Sequence, residues 1–217
     1  MKFRLLGMGL LAAGVFAQAP AVSPRVTYMR SFQGSQPSFF EITVSEDGQA
    51  TYQARENDGE PLTTLRFTAS PETVRQIFRD AKRLKLFAES LQSKDKVAFT
   101  GEKSLAYDDA GAHYTQQYTY TKLPAAVELT SLFEKVSTGG MDAIRLRRAE
   151  QYTRLDVLDL IVQTQQDWSG GQIAEPQILV PTLEQLAGDA NQMQSARNRA
   201  DKLLKQIQPA GSNDAPR

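Results

Sequence analysis

The 217-residue chain has no cysteine and one histidine, His113. The first absence excludes disulfides, thiolate zinc sites, cysteine nucleophiles and lipid attachment through cysteine. The second excludes multi-histidine metal sites and most histidine-based relays. Charge of neither sign is in excess: 25 Lys+Arg stand against 25 Asp+Glu. A dedicated nucleic-acid binder would show a basic surplus to meet phosphate. With 41% hydrophobic residues, the chain is neither collagenous, wholly disordered nor coiled coil alone. Its length suits one or two small domains.

Lys2 and Arg4 open the chain, an apolar stretch runs from Leu5 to Phe16, and small residues follow at Ala17, Ala19 and Ala21. This three-part pattern predicts a secretory signal peptide over residues 1–19. As a helix the apolar stretch would reach about 18 Å, short of the roughly 30 Å hydrocarbon core, so no membrane span is expected after cleavage. Cleavage after Ala19 fits Ala-x-Ala although Pro20 follows, and cleavage after Ala17 is the alternative. Val15 stands where a lipoprotein signal needs cysteine. Loss of Lys2 and Arg4 leaves a mature chain at net −2, and its core must hold without disulfides. The expected location is periplasmic or secreted.

The body predicts an α+β fold over residues 24–137: an antiparallel sheet of about six strands in two hairpins, with two helices on one face. Residues 26–32, 39–46, 49–55 and 62–68 read as the first four strands. Phe40, Ile42 and Val44 alternate with polar residues, as do Ala50, Tyr52 and Ala54, which is the half-buried strand pattern. A three-residue loop, Glu46-Asp47-Gly48, pairs Val44 with Ala50, Ile42 with Tyr52 and Phe40 with Ala54, with Gly at the left-handed position. Ser70-Pro71-Glu72 starts a helix as N-cap, first residue and first-turn acid. Val74, Ile77, Phe78, Ala81 and Leu84 form its apolar stripe. Residues 103–108 and 112–121 make a second hairpin. Parity there favours a loop of Asp108 to Gly111, with Leu105 opposite Tyr114 and Tyr107 opposite Ala112. The Tyr107, Tyr114, Tyr118 and Tyr120 row is expected to cover the sheet. Pro124 opens a second helix, which Gly139-Gly140 is expected to end.

Residues 141–207 predict a separate antiparallel helical hairpin. Its first arm carries Met141, Ile144, Tyr152, Leu155, Leu158 and Val162 in a stripe. Ser169-Gly170-Gly171 breaks it, and Pro176 and Pro181 mark an extended connection. Thr182 with Gln185 reads as a capping box for a second arm bearing Leu183, Leu186, Ala190, Met193, Ala196, Ala200, Leu203 and Ile207. Residues 208–217 read as a disordered tail.

Few residues suggest chemistry. His113 would have to serve any relay, yet it falls on the polar strand face. Asp108-Asp109 has cation-binding residue types in an ordinary turn context. Asp156 and Asp159, near Glu150, lie on a single helix, where carboxylates more often serve helix charge than glycoside hydrolysis. Arg79, Lys82, Arg83 and Lys85 suit a helix C-terminus. Gly139-Gly140 and Gly170-Gly171 lack the lysine and hydroxyl of a phosphate loop. No catalytic, cofactor-binding or metal-ligating residue is assigned.

The stretch Gly34-Ser35-Gln36-Pro37, the alternating strand Ser38 to Ser45, the Asp47-Gly48 turn and the return through Thr51-Tyr52 resemble a family of exported bacterial domains of unknown function. In that family cysteine often stands beside the Gly and Pro, where this chain has Ser35 and Gln36. The resemblance covers residues 28–137 and implies a non-enzymatic exported α+β module, with no catalytic residues to transfer. The expectation is therefore a non-catalytic envelope or secreted protein that binds a protein partner. The alternative is a hydrolase or carbohydrate-acting enzyme using carboxylates with His113.

Overall fold

The computed structural model describes residues 23–208. The expected signal peptide with its cleavage site, and the tail beyond Gln208, lie outside the described residues. Six strands form one antiparallel sheet: β1 (Arg25–Ser31), β2 (Phe39–Ser45), β3 (Gln49–Arg55), β4 (Thr63–Thr68), β5 (Glu102–Asp108) and β6 (His113–Tyr118). Their order is β4-β3-β2-β1-β5-β6. Five α-helices accompany them among the described residues: α1 (Pro71–Arg83), α2 (Pro124–Tyr152), α3 (Val157–Ser169), α4 (Val180–Gly188) and α5 (Gln194–Ile207). The fold is α+β with C-terminal helices.

The first hairpin has the register its apolar alternation demands: Val44 faces Ala50, Ile42 faces Tyr52 and Phe40 faces Ala54. Gly48 takes φ 88° in the three-residue loop, a conformation that side-chain-bearing residues resist. One rung crosses five strands through Leu65, Tyr52, Ile42, Tyr28 and Leu105, all buried. The opposite face is polar, with the Thr27 and Thr43 hydroxyls 2.9 Å apart.

The second hairpin corrects the expected register. Tyr107 faces Tyr114 and Leu105 faces Gln116, a shift of two residues that keeps every side chain on its face. The cause is Asp109, whose Oδ1 accepts from the Gly111 and Ala112 amides at 2.7 Å each. That carboxylate builds the turn over 109–112 and leaves Asp108 and His113 as the closing pair. The tyrosine row is split accordingly: Tyr107 and Tyr118 are buried, whereas Tyr114 is exposed.

At α1, Ser70 caps the Thr73 amide at 3.2 Å and Pro71 leads the helix, as its sequence predicts. The helix ends in a turn where Lys85, Leu86 and Phe87 have φ of 52°, 55° and 66°. Each costs about 1–2 kcal/mol, offset by complete burial of the Phe87 ring.

The chief correction concerns α2, which does not stop at Gly139-Gly140 but runs through it. The two glycines are contacts rather than a terminus. A Cβ on Gly140 would lie 2.5 Å from the Tyr52 ring, and one on Gly139 would lie 2.9 Å from Ile173 Cγ2. The helix thus rests directly on the sheet on one side and takes the 172–178 segment against the other. Residues 141–152, expected to begin a separate hairpin, are the second half of α2. The helix ends before Thr153, which has φ −139° and ψ 56°.

The helical hairpin is likewise rebuilt. A short 3-10 turn, Arg154–Asp156, precedes α3 and turns Leu155 out to 78% exposure, so the buried face of α3 is Val157, Ile161 and Thr164. The second arm is two helices, because Asp189 Oδ1 accepts from the Asn191 amide at 2.9 Å and bends the chain. Thr182 is not a cap. It lies inside α4, fully buried, and accepts from Arg147 Nε at 3.1 Å. A single core contains Tyr52 and Phe133 together with Ile178, Leu183 and Leu203, so the sheet and the C-terminal helices share one interior.

Two carboxylates fasten that union. Glu175, buried, accepts from the Ser70 amide at 2.8 Å and the Ser70 hydroxyl at 2.7 Å, and also from Thr73 Oγ1 and Gln177 Nε2. It therefore anchors the 172–181 segment on the N-terminus of α1, where negative charge is favoured. Glu56 accepts from Arg145 Nε and Arg148 Nη1, each at 2.7 Å, and ties the end of β3 to the second half of α2.

In a bare helix Gly140→Ala would add about 1 kcal/mol of helix propensity. Against the Tyr52 ring it should instead destabilise the protein by about 1–3 kcal/mol, the range for an overpacked core. Urea denaturation of the two proteins measures the sign, and a stabilised variant would mean that α2 does not rest on Tyr52.

Candidate functional site

A cleft of about 380 Å³ runs along α2, within the size range of ligand sites. Ser131, Glu134, Lys135, Thr138, Met141, Asp142 and Arg145 line it from the helix, in steps of three and four that make one stripe. Arg30, Gln36, Pro37 and Phe40 come from β1, the β1–β2 connection and β2; Asp167 and Gln172 come from the end of α3 and the segment beyond. The continuity of α2 through Gly139-Gly140 is what puts Glu134 and Asp142 on one wall.

Three cations and three carboxylates meet there. Arg30 lies over the Phe40 ring at 5.3 Å, with Nη1 3.8 Å from Glu134 Oε1 and Nη2 donating to Ser35 Oγ at 3.4 Å. Its Nε is buried without a partner. Glu134 also accepts from the Tyr28 hydroxyl at 3.4 Å. Burial holds Tyr28 and Tyr52 protonated, their phenols pushed well above the ordinary range. Two hydroxyls of the cleft are engaged within the fold: Ser137 Oγ lies 3.1 Å from Tyr52 Oη, and Thr138 donates to the Glu134 carbonyl at 3.2 Å.

Asp142 is the most perturbed group in the cleft. Its side chain is buried and Oδ2 has no hydrogen-bond partner. Burial, and next the neighbouring Asp167 carboxylate, push its acid up to about 7, while Arg145 and the Thr164 hydroxyl pull it down. A carboxyl desolvated in a cleft beside a second carboxylate is a functional-site signature. Asp167 in turn accepts from Gln163 Nε2 at 3.0 Å.

The residues weighed from sequence lie elsewhere. His113 stands at the tip of the β5–β6 hairpin, 73% exposed, with Nδ1 against Asp108 Oδ1. Asp108 also meets Arg25 Nε at 3.5 Å. Arg25 begins β1 and Arg30 is near its other end, so His113 and the cleft carboxylates are not brought together. Asp109 is occupied by turn amides and by the Tyr107 hydroxyl at 2.9 Å. Asp156 and Asp159 are exposed, and Glu150 is buried near the end of α2. Arg79 and Arg83 both bond the buried Asp80, Arg83 also approaches Glu128, and Lys85 bonds Glu89. Among the described residues no group of three His, Asp or Glu side chains is arranged to hold a metal ion.

Sequence reasoning missed Asp142, Asp167, Arg30 and Arg145. The available signal was the helical stripe itself: with Gly139-Gly140 read as a contact, Thr138, Asp142 and Arg145 continue the face of Ser131 and Glu134. Neither a protein-family model nor a curated protein matches the chain.

Two measurements test this geometry. Because the folded acid of Asp142 is raised, the native state holds a proton that the unfolded chain releases near pH 4. Stability should therefore fall as pH rises from about 4 to 7 and level off above. Asp142→Asn should flatten that slope and be on the order of 2 kcal/mol more stable than wild type at pH 8, read from urea titrations at each pH. His113→Ala, by contrast, should leave stability within about 0.5 kcal/mol, and a loss of several kcal/mol would show a buried role for the ring.

Proposed function

We propose that the protein is a non-catalytic exported module, periplasmic or secreted, that acts by binding another protein through the cleft along α2. The observation that carries the reading is the make-up of the cleft. It gathers charges of both signs and an unpartnered buried carboxyl, the means of holding a partner, while the Ser137 and Thr138 hydroxyls bond Tyr52 and the α2 backbone rather than a general base. The three-part start of the chain and the likeness of its first hairpin to exported domains support the location.

Neighbouring carboxyls also serve hydrolases, and Asp142, its acid raised, lies beside Asp167, so the test has two arms. The mature protein is immobilised and exposed to envelope extract beside Thr138→Trp, whose indole fills the cleft. One protein retained in stoichiometric amount by wild type and lost with the variant is expected. In parallel, peptidase, esterase and glycosidase substrates should show no turnover; turnover abolished by Asp142→Asn would establish the enzyme instead. For export, N-terminal sequencing of the protein from envelope or medium should find a start between Gln18 and Val22. A chain beginning at Met1 in the membrane fraction would refute it.

A further inference from the structure

We propose that the cleft along α2 holds an extended peptide segment of the partner and that Asp142 and Asp167 take a lysine or arginine side chain of that segment; this rests on the protein-binding reading above. The dimensions select the shape. From Ser131 to Arg145 the helical wall is about 21 Å long at 1.5 Å per residue, which an extended chain of about six residues spans. An extended backbone also leaves its amides free to meet the charges along the cleft, whereas a helix bonds its own.

The charges select the chemistry. Arg30, Lys135 and Arg145 line the cleft together with Glu134, Asp142 and Asp167. A phosphate-bearing polymer would meet the carboxylates, and a linear polyamine would meet the cations. A peptide carries dipolar amides throughout and a local charge where a side chain supplies one. A sugar would find no aromatic platform, because Phe40 is buried beneath the Arg30 guanidinium.

The anchor follows from what is unsatisfied. Asp142 is more than nine-tenths buried and lines the cleft, yet Oδ2 accepts from nothing. Asp167 has one oxygen engaged by Gln163. An ammonium or guanidinium entering between the two side chains brings both of them the opposite charge, the charge-assisted contact that carboxylates favour. The Arg30 guanidinium is a donor group on the other wall, suited to a carbonyl of the same chain.

The test is a dye-labelled hexapeptide library with one randomised position, read by fluorescence anisotropy against the full mature protein. Binders should carry lysine or arginine at one position, and norleucine there should cost tenfold or more. Asp142→Asn, checked for folding by its thermal transition, should erase that preference, whereas Arg30→Gln should weaken all binders and keep it. Peptides bound without preference for a basic residue, or a preference that survives Asp142→Asn, overturn the anchor. If the capture experiment still yields a protein lost with Thr138→Trp, only the anchor falls; if neither peptide nor protein depends on the cleft, the binding reading falls with it.

Discussion

The contact between α2 and the Tyr52 ring sets the position of nearly everything else. A helix carrying side chains at both Gly139 and Gly140 could not lie on Tyr52 while accepting Ile173 and Ile178 from the other side. Each glycine weakens the helix by about 1 kcal/mol relative to alanine, and close packing of a large ring and two isoleucines offsets that loss. Further along the helix Phe133 stacks on Tyr28 at 5.3 Å with planes 8° apart. The helix is thereby held along the sheet, and the cleft is the space left where its polar stripe faces the β1–β2 connection.

Charge completes what packing begins. Glu175 and Glu56 are both largely shielded from water, and each is surrounded by donors from a distant part of the chain. Buried carboxylates are stabilising only when so surrounded. Asp142 is the contrast, since it shares their burial but not their partners. The fold satisfies the two carboxylates that join its parts and leaves an oxygen of Asp142, in the cleft, unsatisfied.

The same comparison explains what could be read from sequence. The β2–β3 hairpin was legible because alternation and a glycine allow one loop length only. At β5–β6 alternation allowed two loops differing by two residues, and the choice fell to a side-chain bond, from Asp109 to its own turn, that parity does not register. The Gly139-Gly140 pair was misread because glycine after an apolar stripe ordinarily ends a helix, and only the Tyr52 ring across the sheet makes it a contact. Cutting α2 there also hid the candidate site, for it separated Glu134 from Asp142 and assigned them to different domains. Asp167 had no local signal, because its meaning depends on α3 folding back to α2.

The Glu175 contact also bears on how the protein comes to be folded. Its carboxylate and the Ser70 hydroxyl it accepts from are 105 residues apart. Chains are made N-terminus first, so the start of α1, capped locally by Ser70, lacks the Glu175 carboxylate until most of the protein has been synthesised. Until then Ile173 and Ile178 are not in place on α2, and the core shared by sheet and C-terminal helices is incomplete. Bringing such distant segments together is slow. A nascent chain stopped before Glu175 exposes apolar surface that the finished protein hides, so the species most prone to aggregate is the unfinished chain.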